Sequence, residues 1–234
     1  MGDVDSNVVG QFILFMVALV FSLSVHESAH AWMSNRFGDD LARLQGRISL
    51  NPAAHIDPIG TLLFPAIAFF THVPLIGWAK PTPVNPLKWR NKRVANFWVS
   101  AAGVISNAFI AISAGLIMRG LSQASIVELY IHPFYGLTAE ARSTSILAEG
   151  AAKLLSGFFS LNVALAVFNL IPVPPLDGSK ILSSILPASF DSAIEMLERF
   201  GMILLMILMF TGVLGAIFRI VMPLVSYPFV IGLS

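Results

Sequence analysis

The sequence has no cysteine and few charged residues, and each shortage excludes a class of protein. Without Cys, the 234 residues cannot form a disulfide-bonded domain, a cysteine-ligated metal site or a thiol nucleophile. Charged residues make up 12% of the chain and hydrophobic residues 56%. A soluble domain carries about 25% charged and about 45–50% apolar residues, so this chain could not cover a water-exposed surface. A net charge of +1 also gives no basic surface for nucleic acid.

Long apolar runs predict an all-α polytopic membrane protein. Four runs are long enough to cross a hydrocarbon core of about 30 Å as helices. A fifth run, 59–70, is too short to cross and contains Pro65, so we expect a re-entrant segment there. We expect a single integral-membrane domain over 1–234, with a short strand-like loop at Gly46–Leu50 after the first span. The predicted spans are 8–33, 94–118, 151–171 and 201–221.

The basic residues of the loops predict an orientation in the bilayer. The loop at 72–93 carries five Lys and Arg residues and no acid, and the loop at 34–57 carries three Arg residues. The segment before the first span carries none. The positive-inside rule then places the N-terminus outside and both loops in the cytoplasm. Spans one and three therefore end on the same, cytoplasmic face.

The first span contains the motif His26-Glu27-Ser28-Ala29-His30. Residues four apart lie on one face of a helix, so the two imidazoles can bind one zinc ion. Glu27 between them can then accept a proton from a water molecule. A glutamate between two histidines is also costly to bury in an apolar run unless it has partners or a metal.

A catalytic zinc needs a third protein ligand and an open position. His55, His72 and His132 are spare imidazoles, and a carboxylate is equally suitable. Asp177 is the best candidate because it follows the third span, on the same membrane face as the histidine motif. The prolines before it prevent a regular helix, and non-helical backbone at membrane depth is tolerated where it lines a polar cavity.

Three motifs in this order resemble the site-2 protease family of intramembrane zinc metalloproteases. They are HESAH on a span, GWAKPTPVNP after it, and NLIPVPPLDG after a later span. HIDPIGTLLFP at His55–Pro65 is also similar to the family's segment after the first motif. The resemblance covers roughly residues 20–180. The stretch Gly103-Val-Ile-Ser-Asn107 departs from the family's Gly-Pro-x-x-Asn pattern because it lacks the proline.

The resemblance implies a set of residue roles and a substrate. His26, His30 and Asp177 would bind one zinc ion per chain, with Glu27 as the catalytic base. Asn169 and Pro175 would help to position the substrate, and Asn107 would donate a hydrogen bond near the oxyanion. The substrate would be a single-span membrane protein in the bilayer of a prokaryotic cell (inner) membrane, cleaved at a site that opens to the cytoplasm. The length of the chain predicts a minimal form without PDZ or nucleotide-sensing (CBS) domains.

Two other functions use the same motif differently. A metal transporter would use the His-Glu-His group as a translocation site, but transporters usually show paired broken helices and internal symmetry, which this sequence lacks. A non-catalytic membrane adaptor would keep the zinc for structure. A structural zinc is four-coordinate and closed, whereas only three good ligands are visible here.

Overall fold

Four long helices carry the apolar runs of the chain. The computed structural model describes residues 6–71 and 77–232. By length and composition, four of its helices are able to cross a membrane. They are α1 (Ser6–Arg36), and the three helices that we number α4 (Lys92–Gln123), α5 (Ile146–Leu170) and α8 (Val213–Val230) in chain order.

Shorter elements connect these helices. Helix α2 is Leu41–Leu44, and an apolar segment over Pro58–Thr71 comprises a π-helix (Pro58–Leu63) followed by α3 (Phe64–Thr71). Two strands, β1 (Val127–His132) and β2 (Gly136–Ala141), lie between α4 and α5. Helices α6 (Asp177–Ile185) and α7 (Asp191–Phe210) lie between α5 and α8. Single 3-10 turns occupy Pro52–Ala54, Pro86–Lys88 and Ala188–Phe190.

The predicted class, a mostly helical protein with four apolar spans, is confirmed, and the first three spans match α1, α4 and α5. The fourth prediction, 201–221, is wrong because that stretch is not one helix. Helix α7 ends at Phe210, Gly212 adopts a left-handed φ of 77°, and α8 begins at Val213. Glycine is the residue that takes this conformation after a helix without a Cβ penalty, so it can end α7 inside an unbroken apolar run.

The short apolar segment matches the predicted re-entrant region in position and length. It covers Pro58–Thr71, and Asp57 caps it by accepting hydrogen bonds from the N–H groups of Ile59 and Gly60. At about 1.5 Å per residue this segment extends about 21 Å, short of a core of about 30 Å. Its entry and exit on one membrane face stay a prediction.

The predicted strand-like loop at Gly46–Leu50 contains no strand. Gly46 turns the chain with a positive φ of 68°, and the residues after it form bends. The two-stranded antiparallel sheet lies instead at β1 and β2, between the second and third predicted spans. Its apolar side chains alternate along each strand, and Val127 and Leu137 are buried against the helices.

Small residues let the helices pack closely. Helix α4 contributes Ala111, Ala114 and Met118 to a buried cluster that it shares with α5, the hairpin and α8. A Cβ on Gly115 of α4 would lie 2.6 Å from the ring of Phe229. Close approach of this kind is typical of helix contacts in membranes. Helix α4 is therefore central, since it packs against α1, α5 and α6.

Candidate metal centre

The two histidines of the first motif point their ring nitrogens at one another. His26 and His30 lie one turn apart on α1, and their Nε2 atoms are 3.0 Å apart. Both residues are largely buried, with 5% and 9% of their surfaces exposed. The local helix therefore produces the predicted pair.

Asp177 completes this group from a distant part of the sequence. It is the first residue of α6, and its Oδ2 atom lies 3.3 Å from Nε2 of His26 and 3.2 Å from Nε2 of His30. A zinc ion about 2.05 Å from each of three ligands in tetrahedral geometry would hold the ligand atoms about 3.3 Å apart. The three separations fit that geometry.

The opposite side of each imidazole is held by an acceptor. Nδ1 of His30 lies 2.6 Å from the backbone oxygen of Val99, which can only accept, so Nδ1 of His30 carries the proton. His26 is oriented through Asn107, whose Oδ1 lies 2.5 Å from Nδ1 of His26. The amide of Asn107 donates to Oδ1 of Asn162 at 2.8 Å.

Asn162 fixes the direction of this chain of hydrogen bonds. Its amide donates to the backbone oxygen of Phe158 at 2.8 Å, so its Oδ1 must face Asn107. Oδ1 of Asn107 therefore faces His26, and Nδ1 of His26 is the donor. Both imidazoles thus present an unprotonated Nε2 to the centre of the group, as histidines that bind metals do.

The three groups form a site that could hold a cation. Two nitrogen lone pairs and a carboxylate oxygen converge with no hydrogen atom to share, and the buried Oδ2 of Asp177 makes no hydrogen bond within the described residues. Two imidazole nitrogens and one carboxylate oxygen are a donor set that fits a metal ion.

A glycine on α4 makes room for the two imidazoles. A Cβ on Gly103 would lie 2.5 Å from Cε1 of His26 and 2.6 Å from Cε1 and Nε2 of His30. Only a residue without a side chain allows α4 to pass this close. The sequence analysis names Gly103 only as the start of a stretch that departs from the family pattern, so the structure adds it to the site.

Glycine also sets the position of Asp177. A Cβ on Gly178 would lie 2.3 Å from the backbone oxygen of Leu170 and 2.5 Å from that of Ile171. The start of α6 therefore folds back tightly on the end of α5. Helix α7 packs on the intervening loop, where Gly201 contacts the backbone of Pro174.

Glu27 lies beside the three ligand residues, and a hydrogen-bond donor from another segment of the chain holds its side chain. One of its carboxylate oxygens is within 4.8 Å of the ligand nitrogens of His26 and His30. Its Oε2 accepts a hydrogen bond from the backbone N–H of Thr82 at 2.8 Å. Its Oε1 has no hydrogen-bond partner within the described residues, so it can face a water molecule. The sequence analysis did not identify Thr82.

The other predicted site residues take different places. Both polar ends of Asn107 are occupied, by His26 and Asn162, and the residue is fully buried. The amide of Asn169 donates to Leu165 of its own helix at 2.9 Å. Pro175 is exposed, in the loop before Asp177.

The two spare imidazoles that the structure describes, His55 and His132, lie outside the group formed by His26, His30 and Asp177. His55 holds the backbone oxygen of Ser49 at 2.8 Å through Nε2, and His132 accepts from the N–H of Phe134 in the hairpin turn. His72 lies outside the described residues.

Comparison with known proteins identifies the family. The profile of peptidase family M50 matches residues 14–211. The chain belongs to peptidase family M50, the site-2 protease family. The M50 match includes the histidine motif and Asp177, so all four residues of the site lie within it.

Relatives in this family are named zinc metalloproteases. The chain is 35% identical to YwhC of Bacillus subtilis (strain 168) over 196 residues, which is 84% of this chain and 80% of the relative. It is 28% identical to Rip2 of Mycolicibacterium smegmatis over 207 residues, covering 88% and 70% of the two chains. Rip2 of Mycobacterium tuberculosis (strain H37Rv) is 25% identical over 210 residues, covering 89% and 71%. No solved structure matches the M50 chain described here.

Proposed function

We propose that the chain is an intramembrane zinc endopeptidase that cleaves single-span membrane proteins in or near their transmembrane segments. The observation that carries the proposal is the convergence of two lone-pair nitrogens and one carboxylate oxygen beside Glu27. His26, His30 and Asp177 would hold one zinc ion per chain. The zinc metalloprotease names of the M50 relatives support this choice of metal.

The bound zinc would polarise the peptide carbonyl and make water a better nucleophile at neutral pH. Glu27 takes the proton from the attacking water at its free carboxylate oxygen and returns it to the leaving nitrogen. Asn107 acts through His26 and not on the substrate, because it keeps Nδ1 of His26 protonated and leaves Nε2 available for the metal. The predicted oxyanion contact of Asn107 would need an amide that Asn162 now occupies.

The proposed substrate must unwind before it is cut, because a helix hides its peptide bonds in internal hydrogen bonds. Asn169 and Pro175 flank the loop that carries Asp177 and are proposed to contact the same substrate. The charge of the loops supports a site that opens to the cytoplasm.

The open coordination position favours a protease over the two other functions. Three ligands from the protein leave one tetrahedral position for water, whereas a structural zinc is closed by four. An adaptor, or a transporter that depends on metal binding alone, would not need the carboxylate of Glu27 as a base. The variant Glu27→Gln therefore separates the three functions.

The first experiment measures zinc per chain in protein purified in detergent, by elemental mass spectrometry. We expect about one zinc per chain, as three protein ligands imply, and a sharp loss in His26→Ala and Asp177→Ala. The matched controls are His132→Ala in the hairpin and Asp191→Ala, an exposed acid at the start of α7. Full zinc retention in Asp177→Ala would show that Asp177 is not a ligand. A folded parent that takes up no zinc after reconstitution would contradict the protease proposal.

The second experiment measures cleavage in proteoliposomes with a panel of tagged single-span membrane proteins. We expect cleavage by the parent and none by Glu27→Gln, with the zinc content of the two unchanged. Cleavage that continues in Glu27→Gln would refute the role of Glu27. Zinc-dependent metal flux that continues in that variant would favour the transporter.

A further inference from the structure

The segment Lys80–Thr82, which we call the strap, lies against α1 beside Glu27. It contains neither helix nor strand. The backbone N–H of Thr82 donates to Oε2 of Glu27 at 2.8 Å, and the Thr82 hydroxyl donates to the backbone oxygen of Glu27 at 2.9 Å. One residue of the strap therefore holds both the side chain and the backbone of Glu27.

The strap is held in turn by residues that follow α1. Arg47, of which 4% is exposed, donates from Nη2 to the backbone oxygens of Lys80 and Pro81, the latter at 2.9 Å. The N–H of Lys80 donates to the backbone oxygen of His55 at 2.8 Å. Pro81 and Pro83 have no N–H. Every backbone donor from 80 to 83 is thus used within the protein, so the strap offers no N–H to a substrate strand.

Helix geometry explains why Glu27 needs such a contact. A residue next to His26 is rotated about 100° around the helix from it, so the backbone of α1 does not by itself direct this carboxylate at the ligand group. A base must lie within about 2.6–3.2 Å of the atom that carries the proton, and a misplacement of about 1 Å can cost about 100-fold in rate. With Oε2 held by Thr82, Oε1 keeps one position.

We propose that Thr82 is a positioning residue for Glu27 and that Arg47 keeps the strap in place. The inference rests on the proposed function, because positioning matters only if Glu27 is the base. It assigns a role to the proline-rich motif that is independent of substrate binding. The strap holds Glu27 through hydrogen bonds and makes none to His26, His30 or Asp177 within the described residues.

The first test removes the N–H that holds the carboxylate. Thr82→Pro removes it, and Val84→Pro is the matched control because the N–H of Val84 has no hydrogen-bond partner within the described residues. With a tagged single-span reporter in proteoliposomes, we expect kcat of Thr82→Pro to fall at least about tenfold, the effect of a hydrogen bond to a charged group. KM and zinc content stay at the parent values, and Val84→Pro keeps the parent kcat. A parent-like kcat in Thr82→Pro would overturn the proposal.

A second pair of variants decides the matter if Thr82→Pro does not fold. Thr82→Val removes only the hydroxyl, and we expect kcat to fall about two- to tenfold. Thr82→Ser restores most of that loss because it keeps the donor. Thr211→Val is the control for the substitution type, because the Thr211 hydroxyl donates to the backbone oxygen of Ile207 at the end of α7. Equal kcat values in Thr82→Val and the parent would refute a role of the Thr82 hydroxyl in positioning Glu27.

Hydrogen exchange gives a readout that needs no activity. We expect the Thr82 amide to exchange slowly in the parent and faster in Glu27→Ala, which removes its acceptor, while the Lys80 amide is unchanged. Equal exchange of the Thr82 amide in the two proteins would overturn the positioning role, even in an active protease. A protected Thr82 amide in a zinc-loaded parent that cleaves no reporter would instead refute the proposed function.

Discussion

Replacing Gly103 with alanine tests the geometry of the metal site with a single methyl group. The added Cβ would lie 2.5 Å from Cε1 of His26 and 2.6 Å from Nε2 of His30. Carbon atoms in contact normally lie about 3.5–4.0 Å apart, so α4 or the imidazoles must move by about 1 Å. A metal site tolerates ligand displacements of about 0.2 Å. We therefore expect zinc affinity to fall at least about 100-fold, the upper end of the loss when a supporting contact is removed.

A weakened α4 would be a second explanation for a loss of zinc affinity, and helix propensity argues against it. Alanine favours a helix interior over glycine by about 1 kcal/mol, so Gly103→Ala should not weaken α4 itself. Gly120→Ala on the same helix is the matched control, because its Cβ would have no neighbour within 4 Å. The assay is zinc per chain after equilibration with a competing chelator, together with thermal unfolding with and without zinc. If Gly103→Ala bound zinc as tightly as the parent, the close approach of α4 to the two imidazoles would be refuted.

Three further predictions follow from other contacts. Asn107→Leu removes the acceptor that orients His26, so zinc affinity in chelator competition should fall about 10–100-fold, and parent-like affinity would contradict the orienting role. Gly201→Ala adds a Cβ 2.4 Å from a backbone oxygen in the proline-rich loop, and this overpacking should lower thermal stability by about 1–3 kcal/mol, while Gly215→Ala, which has open space, should not. Burial and a neighbouring glutamate raise the pKa of Tyr130 to about 12. The folded state thus keeps a proton that the unfolded state loses above about pH 10, so stability falls between about pH 10 and 12. Unfolding scans across this range should show a smaller fall in Tyr130→Phe, and an equal fall would refute the assignment.

The local part of the site could be predicted from sequence because it depends on helix periodicity alone. His26 and His30 are one turn apart, and any regular helix brings them to one face. Asp177 could be proposed because the loop charges place the ends of spans one and three on one side of the membrane. The distances confirm that these three residues meet.

Contacts between distant segments decided the rest. Nothing local in the sequence indicates that Gly103 lies against both imidazoles, or that the strap residue Thr82 holds Glu27, since each pair is joined only by packing. The end of α7 was also missed, because hydropathy sums over a window and cannot register one left-handed glycine at position 212. The chain by itself determined a helical membrane protein with a metal motif, because apolar length and i,i+4 spacing are local properties. Only the tertiary structure decided which groups orient the ligands and the base, because hydrogen-bond partners far apart in sequence are chosen by how the helices pack.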